Sequence, residues 1–212
     1  MFSCRIDHLV VTSGTLRSGI EFIEDTLCVR MQPGGQHVRM GTHNALLNLG
    51  PGMYLEVIAV DPTLPPPKRA RWFGLDGVSA DSEPRLATWV ARTESLDEIQ
   101  EILTVSPGKT ESMERGHWKW KITIPADGQM PLSGAFPSFI QWETIDHPSD
   151  RMPNSGVTLQ QLEINCDHAD LLKTNLQLAG LNGPVVVKES ALEQPVVLKA
   201  TFLTESGART IG

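Results

Sequence analysis

The feature that most constrains the fold is an order of elements, one strand, one helix and further strands, that begins three times along the 212 residues. In the first unit, a strand-like run over residues 6–11 precedes a helix in which apolar residues from Leu16 to Leu27 recur at steps of four, three and four. Strands are then predicted at residues 37–40, 45–49 and 54–60. The repeated order predicts an α+β protein built from similar units.

A proline-rich segment, residues 62–67, separates the first unit from the second. Proline has no N–H group to donate to a neighbouring strand, so we predict a surface connection here that runs to about Pro84. In the second unit, Ser95 and Glu98 have the spacing of a capping box at the start of a helix. The other predicted elements are strands at 86–92, 118–124 and 136–143, then a strand at 159–165, a helix at 167–179 and strands at 185–188 and 196–203.

Composition and charge exclude several classes of function. Eighteen basic and 25 acidic residues give a net charge of −7 without a basic stripe, so we do not expect nucleic acid as a partner. No apolar run reaches the ~18 residues of a membrane span, and the three widely spaced cysteines are typical of a reducing compartment, so we expect a cytoplasmic protein. The sequence has neither a phosphate loop nor a nucleophile elbow, and we predict no nucleotide cofactor.

The string Gly-Gly-Gln-His-Val-Arg-Met-Gly-Thr-His-Asn-Ala-Leu-Leu at residues 34–47, followed by Tyr54-Leu55-Glu56, resembles the glyoxalase-like domain family of the vicinal oxygen chelate superfamily. Supporting matches are Ile6-Asp7-His8, residues 139–142, His147-Pro148 and Ser206-Gly207. The resemblance implies paired βαβββ modules whose curled mixed sheets enclose a cavity, with a partial βαββ module at the C-terminal end. The implied boundaries are 4–145 for the paired domain (module 1 at 4–61, linker 62–83, module 2 at 84–145) and 157–206 for the last unit.

Two lone ionisable residues in apolar strands, His8 and Glu56, are candidate metal ligands. A buried carboxylate must be paired, protonated or metal-bound. The resemblance places the first and fourth strands of a module side by side, which would bring His8 against Glu56. Imidazole and carboxylate together suit zinc, manganese, nickel or iron. A buried hydrogen bond that satisfies both groups without metal is an alternative of equal weight.

The second module would supply the remaining ligands. Aligning the two modules places Gln141 at the position of Glu56 and Thr88 at the position of His8. Glutamine is an acceptable oxygen ligand, whereas threonine departs from the full quartet of the family. We therefore predict three ligands, His8, Glu56 and Gln141, around an open metal position, or a polar end of the pocket if no metal binds.

Further site residues come from the matched string and from the aromatic side chains. Glu56 and His37 are candidate proton-transfer groups, and either His37 or His43 is a candidate substrate clamp, although a histidine in such a loop is commonly exposed. The remaining predicted substrate-binding residues are Tyr54, Arg39, His43, Asn44, Trp120 and Trp142. Four of five tryptophans fall in the second unit, which is consistent with an apolar cavity lining or with ordinary sheet packing.

Two functions remain open. In the first, a divalent metal binds neighbouring oxygens of a small, partly apolar substrate and supports lyase, isomerase or dioxygenase-type chemistry. In the second, the chain is a metal-free binding or sequestering protein of the bleomycin-resistance type. For either one we expect a small-molecule ligand, neither nucleic acid nor membrane as a partner, and leave open a homodimer.

Overall fold

A nine-stranded sheet and a four-stranded sheet form the framework of the protein, as described by a computed structural model for residues 3–192 and 194–212. The architecture is mixed α+β with a curled half-barrel sheet, which confirms the predicted fold class. The first unit consists of β1 (Cys4–Thr12), α1 (Leu16–Leu27), β2 (Gln32–His37), β3 (Thr42–Asn48) and β4 (Tyr54–Val60). Residues 38–40, predicted as strand, form a 3-10 turn instead, because Gly41 adopts a left-handed conformation with φ of 62°.

Helix α1 lies close against the sheet of the first unit. Thr15 caps its first turn, since its hydroxyl accepts a hydrogen bond from the Ser18 N–H at 3.1 Å. Ile23 and Leu27 are buried, as the apolar spacing predicted. A side chain at Gly19 would place a Cβ atom 2.4 Å from Val57, so glycine at this position allows the close approach of helix and strand.

The second unit has the same order of elements. They are β5 (Arg85–Arg92), α2 (Leu96–Ile102), β6 (Lys109–Arg115), β7 (Trp118–Ile124) and β8 (Ser138–Trp142). The Ser95 hydroxyl accepts the Glu98 N–H at 3.4 Å, as the capping spacing predicted. Strand β6 was not predicted, because it lies at the sheet edge and buries only Met113 among its seven residues.

The third unit comprises β9 (Thr158–Cys166), α3 (Ala169–Leu178), β10 (Leu181–Asn182), β11 (Val185–Glu189), β12 (Val197–Thr204) and β13 (Gly207–Ile211). Its four-stranded sheet has the order β11-β9-β12-β13, and the short β10 pairs with β1 of the large sheet. Strand β13 extends past residue 206, the expected end of the unit. The division of the chain at 4–61, 62–83, 84–145 and 157–206 stays a prediction. No helix of the described residues is both long enough and apolar enough to span a membrane.

The large sheet has the order β2-β3-β4-β1-β5-β8-β7-β6, so the first strands of the two units pair at its centre. One face packs on the helices through residues such as Leu9, Trp89 and Phe139. The opposite, inner face carries a second apolar cluster that includes Val10 and Ile140. The two outer edges of the sheet approach each other across this inner face, which encloses the space between them.

A bulge in β1 decides which side chains face that space. Ile6 pairs with Ala91 and His8 with Val90, so Asp7 is the extra residue without a partner in β5. Strict alternation in a regular strand would place Ile6 and His8 on one face, but the bulge changes the alternation. Ile6 packs in the helix-side core with Leu9, whereas His8 faces the inner space.

The connection between the first two units runs over the surface and then turns inward. Its proline-rich start is mostly exposed, as predicted. Further on, the 3-10 segment Trp72–Gly77 buries Trp72 and Phe73, which are 4% and 6% exposed. Phe73 adopts a left-handed conformation with φ of 56°, which is unfavourable for a side chain of this size. This segment covers the inner face of the sheet.

Candidate active site

The enclosed space is a cavity with a polar side and an apolar side. Its polar groups belong to His8, His37, Asn44, Tyr54, Glu56 and Arg115. Its apolar wall includes Trp72, Phe73, Trp120, Ile122, Ile140 and Trp142. The free volume is about 30 Å³, roughly the space of one water molecule, so a larger ligand requires the covering side chains to move.

The central feature of the polar side is a buried aspartate–histidine pair. The Oδ1 atom of Asp7 lies 2.7 Å from Nδ1 of His8, and Asp7 is fully buried. Burial alone would raise the pKa of the Asp7 carboxyl, but hydrogen bonds from His147 and His8 hold that pKa well below its usual range. Asp7 is therefore ionised, and as an acceptor it favours the His8 tautomer that carries its proton at Nδ1 and leaves Nε2 free.

Three further groups hold the second carboxyl oxygen of Asp7. The indole N–H of Trp142 donates to Oδ2 at 2.9 Å, and Nε2 of His147 lies 3.1 Å from the same atom. The Nε atom of Arg92 is 3.6 Å away. These contacts satisfy the buried charge and fix the carboxyl plane, which in turn orients the His8 ring.

Glu56 lies on the other side of His8. The Nε2 atom of His8 is 3.6 Å from Oε2 of Glu56, which is longer than a hydrogen bond but within range of an ion pair. In the parallel pairing of β1 and β4, the residue directly opposite His8 is Tyr54, and the two rings stack at 4.5 Å. Burial, followed by the nearby Asp7 and Glu56 carboxylates, raises the pKa of Tyr54 well above its usual range, so its hydroxyl stays protonated.

Asn44 connects Glu56 to Arg115. Its amide Nδ2 donates to Oε1 of Glu56, and its Oδ1 accepts a hydrogen bond from Nη1 of Arg115 at 3.0 Å. The same oxygen accepts the Gly35 N–H at 2.9 Å, so the amide orientation follows from three partners. A carboxylate and a guanidinium thus lie at opposite ends of one asparagine side chain.

His37 faces the same asparagine but is not a free base. Nδ2 of Asn44 lies 3.2 Å, and Nη1 of Arg115 3.4 Å, from the Nε2 atom of His37. Both of these groups are donors, so Nε2 acts as the acceptor and the proton resides on Nδ1. Burial, then the charge of Arg115 and the neighbouring His8, lowers the pKa of His37 to about 3, and the ring is neutral near pH 7.

The structure brings seven of the predicted site residues to one cavity, namely His8, His37, Asn44, Tyr54, Glu56, Trp120 and Trp142. Arg39 and His43 lie outside it, which corrects their predicted placement. Arg39 is half exposed and forms an ion pair with Glu111. His43 points to the other face of β3 and lies 3.6 Å from Asp61.

Gln141 is also absent from the cavity, which corrects the predicted ligand set. Its Oε1 atom accepts the Leu96 N–H at 3.1 Å at the start of α2, on the helix side of the sheet. Strand residues alternate between faces, and its neighbours Ile140 and Trp142 occupy the cavity side. The prediction placed the second-module ligand one residue away from an inward-facing position.

The residues present do not fit a divalent metal. His8 and Glu56 are suitable donors on one wall, but the wall of the second unit presents Ile122 and Ile140 instead of ligands. Thr88, the other aligned position, donates to the carbonyl of Gly134 at 3.1 Å. Across residues 3–192 and 194–212, no group of three or more His, Cys, Asp or Glu side chains is placed to hold an ion. The guanidinium of Arg115 adds a positive charge that opposes a cation.

Sequence reasoning missed three polar residues of the site, Asp7, Arg115 and His147. Asp7 and His147 were noted only within matched motifs, and Arg115 belongs to the edge strand that was not predicted. The signal for Asp7 is its position beside His8 in an apolar strand, where a carboxylate needs partners. Arg115 contacts Asn44, which is 71 positions away in sequence, and His147 contacts Asp7, which is 140 positions away. No local sequence pattern indicates such contacts.

Comparison with known proteins identifies the family of the chain. The sequence model of the family described as glyoxalase-like domain matches residues 6–179 of the chain. The chain belongs to the glyoxalase-like domain family, as the sequence motifs implied. A search of the curated proteins found no match.

The fold of this glyoxalase-like protein is also found in a solved structure. A hypothetical protein from Staphylococcus aureus, 14% identical, aligns over 92% of this chain and 90% of its own with a TM-score of 0.60. The methylmalonyl-CoA epimerase of Mycobacterium tuberculosis, 16% identical, aligns over 66% of this chain and 88% of its own with a TM-score of 0.43. A hypothetical protein from Bacillus halodurans, 13% identical, aligns over 68% and 96% with a TM-score of 0.44.

Proposed function

We propose that this chain binds a small carbonyl compound in the cavity and catalyses a proton transfer on it, as an isomerase or lyase, with His8 as the base. The observation that carries the proposal is the 2.7 Å contact between Asp7 and His8 in a cavity with an apolar wall. An ionised aspartate behind a histidine fixes the ring and stabilises its protonated form. That arrangement suits a general base.

The reaction proposed for His8 is proton abstraction from a carbon next to the carbonyl group. The C–H bond breaks, the proton moves to Nε2 of His8, and the electron pair passes to the carbonyl oxygen, which forms an enolate. Return of the proton to another position or face completes an isomerisation, whereas loss of a neighbouring leaving group completes a lyase reaction. A well-placed acid–base group accelerates such a step by about 10²- to 10⁴-fold.

Glu56 is the candidate for the second proton-transfer group. It lies 3.6 Å from Nε2 of His8 and is held by Asn44, so it can take or return a proton on the same side of the cavity. His37, predicted to be catalytic, is better suited to positioning, because its acceptor nitrogen already faces Asn44 and Arg115.

A second candidate function is metal-free binding without turnover. The observation in its favour is the aromatic lining, in which the rings of Trp120 and Trp142 lie 5.5 Å apart and face an apolar ligand space. Such walls bind apolar molecules whether or not chemistry follows. The binding hypothesis and the enzyme hypothesis differ in one measurable result, which is turnover.

The test is proton exchange on two small carbonyl compounds, butanone and 2-oxobutanoate, in deuterated water. We expect the wild type to accelerate deuterium incorporation next to the carbonyl of at least one compound, as followed by NMR. Substitution His8→Gln should abolish the acceleration, and a chelator should leave it unchanged. The matched control is His168→Gln, at a histidine that is 56% exposed and outside the cavity.

The outcomes separate the two functions. Exchange that depends on His8 and resists the chelator supports the proposed proton transfer. Ligand-dependent changes in tryptophan fluorescence without exchange of either compound would favour the binding protein. Stoichiometric metal in the purified chain, with activity that the chelator removes, would restore the metal-dependent hypothesis.

A further inference from the structure

Arg115 brings an unneutralised positive charge to the cavity. In the described part of the chain, no carboxylate oxygen lies within 4.0 Å of its guanidinium. Its contacts are the Asn44 amide oxygen at 3.0 Å and the acceptor nitrogen of His37 at 3.4 Å, and both groups are neutral. Arg39 and Arg69, on the same side of the molecule, both pair with Glu111. A partly buried guanidinium without a counter-charge favours an anionic ligand.

Residues from both halves of the sheet position the side chain of Arg115. Arg115 ends the edge strand β6 and reaches across to β2 and β3 of the first unit. Gly35 of β2 leaves the space for this crossing, because a Cβ atom there would lie 3.2 Å from Cδ of Arg115. The two neutral partners hold Nη1 and leave the rest of the planar donor fork available.

We propose that Arg115 is the anion-binding residue of the cavity and that it selects a substrate with a carboxylate next to the reacting carbonyl group. The inference rests on the proposed function for the reacting end of the substrate, where His8 and Glu56 lie. A carboxylate matches the two-donor geometry of a guanidinium better than any neutral group does. It also supplies the negative charge that Arg115 lacks.

The remaining walls define the rest of the substrate. Trp120, Ile122 and Ile140 form an apolar surface and are 5%, 2% and 1% exposed. Asn44 separates the guanidinium from the Glu56 carboxylate, so an anion at Arg115 does not need to contact Glu56. The substrate class is thus a small 2-oxo carboxylate with an alkyl or aryl group.

A purely structural role is the competing explanation for Arg115. The side chain joins the two edges of the sheet, so its removal would lower stability even if no anion binds. The two roles differ in their consequence for ligand discrimination. Only an anion-binding role makes the preference for an acid over its amide depend on residue 115.

The experiment measures binding of matched acid and amide probes to the whole chain by calorimetry and tryptophan fluorescence at constant ionic strength. The probes are acetate with acetamide and phenylacetate with phenylacetamide, none of which requires turnover. The wild type should bind each acid at least tenfold more tightly than its amide, about 1.4 kcal/mol or more. Arg115→Gln should remove this preference and Arg115→Lys should keep part of it.

Two controls make the result interpretable. Arg17→Gln removes a guanidinium whose side chain is 87% exposed on α1, and it should leave the acid preference unchanged. Melting temperatures show whether each Arg115 variant is folded, and Arg115→Lys keeps the test valid if the glutamine variant is not. Because none of the probes requires turnover, their binding tests the anion site even if the proposed proton transfer fails.

Three results would overturn the proposal. The first is equal binding of acid and amide by the wild type. The second is an acid preference that persists in folded Arg115→Gln. The third is no detectable binding of either acid up to millimolar concentration, which would leave Arg115 with the structural role alone.

Discussion

The Nε2 atom of His147 lies 3.1 Å from Oδ2 of Asp7, although the residues are 140 positions apart. The backbone N–H of Ser149 donates to Nδ1 of His147 at 3.2 Å, so Nδ1 is an acceptor and the Nε2–H of the ring donates to Asp7. His147 lies beyond residues 4–145, the predicted paired-module domain. The orientation of Asp7, and through it of His8, therefore depends on the segment that follows the second module.

Substitution His147→Phe should lower stability by about 1–3 kcal/mol, because it removes one donor from a fully buried carboxylate. His147→Gln keeps an N–H donor of similar reach and should lose less. Urea unfolding at neutral pH measures both variants against the wild type. Equal losses for the two variants would mean that ring packing, and not the hydrogen bond, accounts for the contribution of His147.

Substitution Asp7→Asn should reduce the His8-dependent proton exchange by a factor on the order of 10²–10⁴. An amide nitrogen facing Nδ1 of His8 favours the tautomer with its proton on Nε2, and that tautomer is not a base toward the cavity. Asp170→Asn, at an aspartate whose side chain is 95% exposed, is the matched control and should exchange like the wild type. Circular dichroism confirms that both variants are folded at the assay temperature. An undiminished rate in Asp7→Asn would show that Asp7 does not set the tautomer of His8.

Stability should fall as the pH decreases through the range set by His37. Its pKa is about 3 in the folded chain and about 6.5 when unfolded, so between these values the unfolded chain binds a proton that the folded chain does not. The contribution of His37 to stability is therefore complete above about pH 6.5 and decreases as the pH falls below that value. The variant His37→Gln keeps an acceptor near Nε2 but does not titrate.

The measurement is the urea midpoint of both proteins at several pH values from about 7 to 5, a range above the unfolded pKa of an aspartate. The wild-type midpoint should fall more steeply than that of His37→Gln. Asp7 does not affect this comparison between pH 7 and 5. Because its pKa is lowered in the folded chain, its contribution to stability decreases only below about pH 4. If the midpoints of the two proteins fall in parallel as the pH decreases, protonation of His37 does not lower the stability of the fold.

Much of the cavity was accessible from sequence because its residues interrupt otherwise apolar strands. His8 and Glu56 are ionisable groups within such strands, and strand order then brings them within 3.6 Å of each other. Tyr54 shares a face with Glu56, as the alternation of a regular strand requires. Their presence in one cavity follows from these patterns, whereas their proposed roles stay predictions.

The misplaced residues share one physical cause, the sensitivity of strand faces to single-residue shifts. The bulge at Asp7 separates Ile6 from the face of His8, and the alignment that selected Gln141 was one position away from the inner face. Arg115 was missed because its strand is polar and lies at an edge, where burial imposes no alternation. Sequence patterns show the local alternation of apolar and polar residues along a strand. Neither a bulge nor a contact across the sheet produces a recognisable change in that alternation.

Substitution Gly34→Ala should disrupt the polar side of the cavity. A Cβ atom at residue 34 would lie 2.0 Å from Oδ1 of Asn44 and 2.8 Å from its backbone oxygen, so Asn44 cannot stay in place. Since Asn44 holds both Glu56 and Arg115, its displacement should abolish acid binding and cost about 1–3 kcal/mol of stability. Gly77→Ala is the control, because a Cβ atom at residue 77 would meet nothing within 4 Å, and we expect a small change. Calorimetric binding of phenylacetate and thermal unfolding distinguish the two alanine variants, and equal behaviour would show that Asn44 does not organise the cavity.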